Sequence, residues 1–290
     1  ALSNFDATTG RLVIPSDKLP PQGQEKLFNA YPITLQAGRP TYQSDKNNFA
    51  PRFGFAWRPT FMEKTVVRGG AGLYFNPLPV FIGVRPLNFS NVPFALAEQF
   101  DAVAGATPTL TLAAPFAGSS TIPANPAITG IEPGLKNNES YQWNFTIERE
   151  VARNLGVRAS YVGNHTAHLW YNGRQLNNPQ TQAPGNIQPR RPYQPWGTIA
   201  WITSGGDSTI HQLQLEAIQR LSRGLTFQFE YSWNRSLDNT PISGGPENPY
   251  DNARDRGNSE QVRRHIFTAA YTYALPFGPG KRFVNGSGPA

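Results

Sequence analysis

The chain contains 290 residues, and its 26 Lys and Arg against 19 Asp and Glu give a formal net charge of +7. It has no Cys, which excludes disulfide scaffolds, Cys-ligated zinc, iron–sulfur clusters and thiol nucleophiles. Gly and Pro, which break helix interiors, number 27 each, and aromatic residues make up 12% of the chain, too many for a disordered polar segment. The composition therefore favours a β-rich protein with long loops.

Alternation of large apolar and polar residues is the main structural signal along the chain. It is clearest at 141–148 and 225–234, where odd positions are apolar and even positions are polar. Because successive side chains of a strand point to opposite faces, each such segment has one apolar face and one polar face. We predict seven strands, at roughly 49–58, 65–75, 139–150, 156–164, 207–220, 225–236 and 263–275.

The connections between these strands alternate strictly between short turns and long loops. Loops beyond about 12–15 residues are uncommon in compact domains, and here all of them fall at one end of the predicted sheet. Short turns at one end and long loops at the other are typical of outer-membrane barrels. We therefore predict a single barrel domain over 1–290 with external loops at 1–48, 76–138, 165–206 and 237–262, hairpins at 49–75, 139–164 and 207–236, and a strand at 263–275.

No apolar run approaches the ~18–20 residues that a membrane-spanning helix needs. The amino terminus also lacks the basic region and the apolar core of a secretion signal. Membrane β-barrels remain compatible with this pattern, because they span the bilayer with strands of about 9–11 alternating residues.

The two faces of the strands predict two environments. If the apolar face contacts outer-membrane lipid, its aromatic residues are candidates for the interfacial girdles of a barrel. These lipid-facing candidates are Trp57, Tyr141, Trp143, Phe145, Phe227, Phe229, Tyr231, Trp233, Tyr271 and Tyr273. The lumen-facing candidates are Arg52, Arg68, Gln142, Asn144, Glu148, Arg158, Gln214, Glu216, Gln228, Glu230 and Asn234. A soluble antiparallel sheet with one solvated face would show the same alternation, so this alternative stays open.

Motifs that carry chemistry are missing from the sequence. His165 and His168 are spaced for metal ligation on a helix, but they fall at a strand end without supporting carboxylates. His211 and His265 are isolated near strand ends. No Gly-x-Ser-x-Gly or His-Glu-x-x-His pattern occurs, and the positive charge is spread along the chain rather than clustered with aromatic residues. We therefore expect no enzyme activity, no metal, no cofactor and no nucleic-acid partner.

Ten short segments follow one another in a characteristic order along the chain, at 47–57, 67–75, 160–164, 168–169, 212–215, 219–225, 231–238, 255–257, 264–265 and 275–280. In this order of motifs, the chain resembles the carboxyl-terminal barrel region of TonB-dependent receptor-like outer-membrane proteins of the Oar-like kind. Members of that family typically carry an amino-terminal carboxypeptidase-regulatory-like domain. One departure is Val262, where the family often has an Asp two residues before the Arg-His pair.

The resemblance implies a bacterial outer-membrane location and a 22-stranded, antiparallel, up-and-down transmembrane barrel that encloses a plug domain and is energised by the TonB complex. This all-β chain would supply about seven or eight of those strands. No plug, signal peptide or TonB box is recognisable in it, so we expect an internal fragment of a larger protein that meets TonB through the missing plug.

Three functions follow as hypotheses. The first is uptake of a bulky solute, such as an oligopeptide, a glycan or a metal chelate, through external loops and a polar lumen. The second is a non-enzymatic surface adhesion or glycan-binding module that uses aromatic loop segments such as 193–196. The third, a soluble β enzyme, lacks a catalytic constellation. We expect the loops, which would carry selectivity, to be irregular.

Overall fold

The computed structural model describes residues 3–18, 25–79, 87, 91–95, 122–181, 183–222, 224–240, 246–278 and 280–283. Parts of the predicted loop at 76–138, namely 80–86, 88–90 and 96–121, lie outside the described residues. The elements are β1 (Asn4–Asp6), β2 (Arg11–Ile14), α1 (Glu25–Ala30), β3 (Ile33–Leu35), β4 (Arg52–Trp57), β5 (Thr65–Asn76), β6 (Ile128–Ile131), β7 (Asn138–Ala152), β8 (Leu155–Gln175), β9 (Ile199–Ser222), β10 (Leu225–Asp238), β11 (Gly257–Asn258) and β12 (His265–Tyr273).

The main sheet is an antiparallel meander. Its order is β4-β5-β7-β8-β9-β10-β12, so each long strand pairs with the next long strand along the chain. Strands form at all seven predicted positions, and the predicted antiparallel all-β class is confirmed. The sheet is open, because no described strand pairs with the outer edge of β4 or of β12.

None of the helices in the described part of the chain is long and apolar enough to cross a membrane.

The tight turns lie at one end of the sheet, as predicted. Lys64, Asn154 and Gly224 each take a positive φ, of 61°, 64° and 83°, in the connections β4–β5, β7–β8 and β9–β10. Gly and Asn favour this left-handed region, and Asn154 and Gly224 occupy it in connections of two residues, whereas Lys64 is the last residue of the longer β4–β5 connection. The Lys64 ammonium also forms an ion pair with Glu150 of β7 at 3.2 Å.

The prediction of a continuous loop at 165–206 is wrong. β8 continues to Gln175 and β9 begins at Ile199, so both strands extend well past the predicted boundary. The reason lies in the register, which shifts three times between Ala167 and Arg174. His168, with φ 59°, is the first of these irregularities. Each irregularity changes the phase of the side chains, which erases the period-two pattern that identifies a strand.

The expectation that the external loops are irregular is also wrong. Segments of these loops form a folded body, here called the cap, which comprises β1–β3, α1, β6 and residues 176–198. β1, β2 and β3 make a separate three-stranded sheet, while β6 pairs in parallel with the start of β9. The cap, the segment 91–95 and the adjoining end of β9 bury most of the apolar core, namely Phe5, Leu12, Ile14, Tyr31, Ile33, Val92, Ile128, Trp196, Ile199 and Trp201.

Two buried asparagines attach distant segments to β6. The Asn4 side chain donates to Ile131 O at 2.9 Å and accepts from Ile131 N at 2.7 Å. Asn91 does the same with Thr129, at 2.8 and 2.7 Å. Each amide group thus satisfies a backbone donor and acceptor as a neighbouring strand would, and buried backbone groups require such partners. These bonds connect the amino-terminal segment and residue 91 to the same short strand.

Candidate functional site: a polar sheet face, an apolar sheet face and a cap

The polar candidates share one face of the main sheet. Cross-strand register aligns Val66, Glu148, Arg158, Glu216 and Glu230 in a single row across five strands. Rows two residues away lie on the same side, because side chains alternate along a strand. This side, the polar face, carries all eleven predicted lumen candidates, Arg52, Arg68, Gln142, Asn144, Glu148, Arg158, Gln214, Glu216, Gln228, Glu230 and Asn234.

Charges on the polar face are arranged in pairs. Arg68 Nη1 lies 2.9 Å from Glu148 Oε1, and Arg158 Nη2 lies 2.6 Å from Glu216 Oε2. The Gln228 amide donates to Glu216 Oε1 at 3.0 Å and to Glu230 Oε1 at 2.8 Å. Ion pairs of this exposure contribute about 0–1 kcal/mol each, so they add little stability. Their effect is to keep a broad surface hydrophilic without a large excess of either charge.

The polar face is concave near the turns. A depression of ≈ 610 Å³ is lined there by Arg58, Lys64, Glu150 and Arg220, together with the paired Glu148, Arg158 and Glu216. Such a surface can hold water and hydrogen-bond to a polar solute or to another polypeptide segment. In the described residues, no group of three or more His, Asp or Glu side chains could hold a metal ion.

The opposite side of the sheet, the apolar face, is not covered by any other segment in the described part of the chain. Phe145 keeps 45% of its surface exposed, Trp57 keeps 51% and Tyr271 keeps 73%, and none of them belongs to a buried cluster. Soluble monomers rarely expose apolar patches beyond a few hundred Å². The register places all ten predicted lipid candidates here, Trp57, Tyr141, Trp143, Phe145, Phe227, Phe229, Tyr231, Trp233, Tyr271 and Tyr273.

Three histidines on the apolar face pair with tyrosines of neighbouring strands, and these three pairs are here called the tyrosine–histidine band. Tyr161 Oη lies 2.7 Å from His211 Nδ1, and Tyr231 Oη lies 2.9 Å from His265 Nδ1. The third pair, Tyr141 and His165, stacks with ring centroids 6.0 Å apart. Amphipathic rings of this kind suit the membrane–water interface.

In the sequence, these histidines appear as isolated residues or as a metal-spaced pair, and nothing predicts the tyrosine–histidine band. Two of its members sit at the odd positions His211 and His265 of strands whose odd positions are apolar. That placement is the signal that could have identified them. His168 does not join His165, because it occupies the first irregularity of β8.

Aromatic rings on the apolar face lie flat over glycines. A Cβ on Gly163 would lie 2.1 Å from Trp143 Cε2, and one on Gly69 would lie 2.6 Å from Phe55 Cε1. The absence of a side chain therefore lets the ring of the neighbouring strand cover the backbone. This explains why glycines occur inside segments that otherwise read as strands.

An antiparallel meander with one polar and one uncovered apolar face defines the class of membrane-spanning β-barrel proteins. The model of the outer membrane beta barrel domain family matches residues 1–290, so the chain belongs to that family. It is a protein of the bacterial outer membrane.

Several solved outer-membrane proteins are similar to the chain over part of their length. The transporter YddB from Escherichia coli has 14% identity and a TM-score of 0.43 over 70% of this chain and 22% of its own. The FrpB iron transporter of Neisseria meningitidis (F3-3 variant) has 15% identity and a TM-score of 0.36 over 65% of this chain and 20% of its own. The alcaligin outer membrane receptor FauA of Bordetella pertussis has 15% identity and a TM-score of 0.37 over 80% of this chain and 27% of its own.

The chain thus spans 20–27% of the length of these structures. No curated protein matches the sequence. The assignment of individual side chains to lumen or lipid stays a prediction.

Proposed function

We propose that this chain contributes to a TonB-energised outer-membrane receptor that takes up a bulky solute. The observation that carries the proposal is the division of the main sheet into a concave face of paired charges and an uncovered apolar face. In a closed barrel, the first would line an aqueous lumen and the second would contact lipid. The cap then lies on the external side, above the path that the solute would follow.

A cysteine-accessibility experiment tests the orientation of the sheet. The chain has no Cys, so single cysteines can be introduced without background from it. Gln214→Cys and Leu213→Cys form a matched pair, because they are adjacent in β9 and point to opposite faces. Both are made in the full-length protein freed of any other cysteine, and outer-membrane vesicles are treated with a charged maleimide.

We expect Gln214→Cys to react and Leu213→Cys to stay unreactive until the membrane is dissolved. Labelling of Leu213→Cys alone would contradict the orientation. Uptake is tested separately, by following a fluorescent oligopeptide, a fluorescent oligosaccharide and a radioactive ferric chelate in cells with and without TonB. TonB-dependent accumulation of one of these probes is expected, and accumulation of none would refute the transport proposal.

The cap favours a second candidate, which is binding at the cell surface without uptake. Its buried core and its own sheet make it a structured surface rather than a set of open loops. This candidate would be favoured if cells with and without TonB bound equal amounts of probe and if external protease removed all of it. In both cases we propose a non-enzymatic role, supported by carboxylates that are committed to pairs with Arg and Lys.

A further inference from the structure

Residues of the cap between 176 and 193 and Tyr250, which lies outside the cap, together line a depression of ligand size that neither sheet face explains. It has a volume of ≈ 600 Å³ and is lined by Tyr193, Tyr250, Pro179, Pro192, Gln180 and Arg190, among others. Small-molecule sites are clefts of about 300–1,000 Å³ with mainly apolar walls and a few polar groups. This depression, here called the tyrosine pocket, fits that description.

Both tyrosines are held in place by two consecutive residues. The buried Asn177 side chain accepts from Tyr193 N at 2.8 Å and donates to Tyr193 O at 3.0 Å. The Tyr250 hydroxyl donates to the main-chain oxygen of Asn178. The Tyr193 ring also meets Phe5 edge to face, with centroids 5.1 Å apart. Because these rings are fixed before a ligand arrives, binding would cost little ordering.

No carboxylate is found among the described residues that line the pocket. Apart from the tyrosines, Arg190 is the one ionisable residue of that described lining, and its guanidinium donates to the main-chain oxygens of Ala183, Asn186 and Thr181 at 2.7, 3.3 and 3.4 Å. Burial raises the pKa of Tyr250, so its hydroxyl is neutral at physiological pH. A cationic ligand would find no partner for its charge, and the lining offers a ligand mainly aromatic rings and neutral polar groups.

We propose that the tyrosine pocket binds a neutral glycan. One pyranose ring would pack its C–H face on the rings of Tyr193 and Tyr250, and its hydroxyls would reach the polar groups of Gln180 and Thr181 at the rim. The inference rests on the proposed receptor function and names its substrate class. It disfavours a cationic oligopeptide as the ligand of the tyrosine pocket, because its ammonium groups would find no carboxylate among the described lining residues.

The test measures binding to the full-length protein in a detergent that contains no sugar. The probes are maltohexaose, cellohexaose and chitohexaose, with a sulfated heparin hexasaccharide as the charged comparison. Titration calorimetry is applied to the unmodified protein and to Tyr250→Ala, Tyr250→Phe and Thr181→Glu. Tyr250→Phe keeps the ring and loses only the bond to Asn178, so it is the matched control for Tyr250→Ala.

We expect at least one neutral hexasaccharide to bind and the heparin hexasaccharide not to bind. Tyr250→Ala should weaken binding roughly tenfold through loss of one aromatic contact, and Tyr250→Phe should weaken it less. Thr181→Glu should also weaken it, because it adds a charge at the rim. Failure of all three neutral probes, or binding that is unchanged in Tyr250→Ala, would overturn the inference.

The two proposals can fail separately. TonB-dependent uptake of an oligopeptide or ferric chelate by a protein whose pocket binds no glycan would refute this inference and leave the receptor function standing. Glycan binding that Tyr250→Ala weakens, in cells that accumulate no probe, would support the pocket and refute uptake.

Discussion

Asn177 offers a sharp test of the claim that the cap is a folded body with its own stability. Its side chain is fully buried and donates to the main-chain oxygens of Tyr193, Trp196 and Gly197 at 3.0, 2.9 and 2.8 Å, while accepting from Tyr193 N. Asn177→Asp keeps the shape of the side chain but replaces the donating amide nitrogen with an oxygen that accepts. That oxygen would then face main-chain carbonyl oxygens, which also accept. A buried polar group that loses its partner costs about 1–3 kcal/mol.

The amide nitrogen has two hydrogens to share among the three carbonyls, so with the lower value for each of two hydrogen bonds the cap loses about 2 kcal/mol of stability. Since 1.4 kcal/mol corresponds to a factor of ten, the opened population of the cap should rise roughly 30-fold. The assay is limited proteolysis of intact cells with an external protease, which cleaves the cap only when it opens. The barrel is monitored in parallel by its resistance to unfolding in detergent at room temperature.

The control is Asn178→Asp, because the described hydrogen bonds of Asn178 use only its main chain. We expect faster cleavage of the cap in Asn177→Asp, near-normal cleavage in Asn178→Asp, and an intact barrel in both. If Asn177→Asp were cleaved no faster than its neighbour, the reasoning about the cap would be refuted.

Two further predictions follow from glycine packing and from a buried carboxyl. Gly163→Ala should displace the Trp143 ring and destabilise the sheet by about 1–3 kcal/mol, which is measured as a lower unfolding temperature. The control is Gly156→Ala in the same strand, which should have little effect because a Cβ there meets no atom within 4 Å. Burial alone would raise the pKa of Asp6, but hydrogen bonds from the Thr8 main chain and the Arg39 guanidinium, 2.9 Å away, lower it below 3.8. Because the pKa of Asp6 is lower in the folded cap than in the unfolded chain, the ionised carboxylate stabilises the cap at pH values above the unfolded pKa. This contribution is lost as the pH falls through the folded pKa, so the tryptophan fluorescence of the cap should become acid-sensitive below about pH 4. This sensitivity should diminish in Asp6→Asn, and an identical acid profile in that variant would contradict the assignment.

Much of the sheet could be predicted because its information is local. The alternation at 141–148 and 225–234 shows a strand, its length and its two faces at once, since the side-chain period of a strand is two. Odd and even positions along each strand assigned every candidate residue to the apolar or the polar face. The pairing of neighbouring strands then placed the polar candidates together on one face and the apolar candidates together on the other.

The extension of β8 and β9 could not be read in this way. Between Ala167 and Arg174 the strand is irregular, and its hydrogen-bond partner in β9 is what keeps it extended. A local pattern cannot report a strand whose phase changes every few residues. The tyrosine–histidine band was hidden for a related reason, because Tyr161 and His211 become neighbours only when β8 and β9 pair.

The cap depended entirely on long-range contacts. Phe5, Tyr31 and Trp196 lie far apart along the chain and share no periodicity, yet they form one core in which Trp196 Nε1 donates to Gly10 O at 2.9 Å. The amino-acid sequence specifies the alternating hairpins, because each strand needs only its own residues to separate an apolar from a polar side. The folded cap and its tyrosine pocket arise from packing between distant segments, because burial and hydrogen bonding there join groups that no local pattern relates.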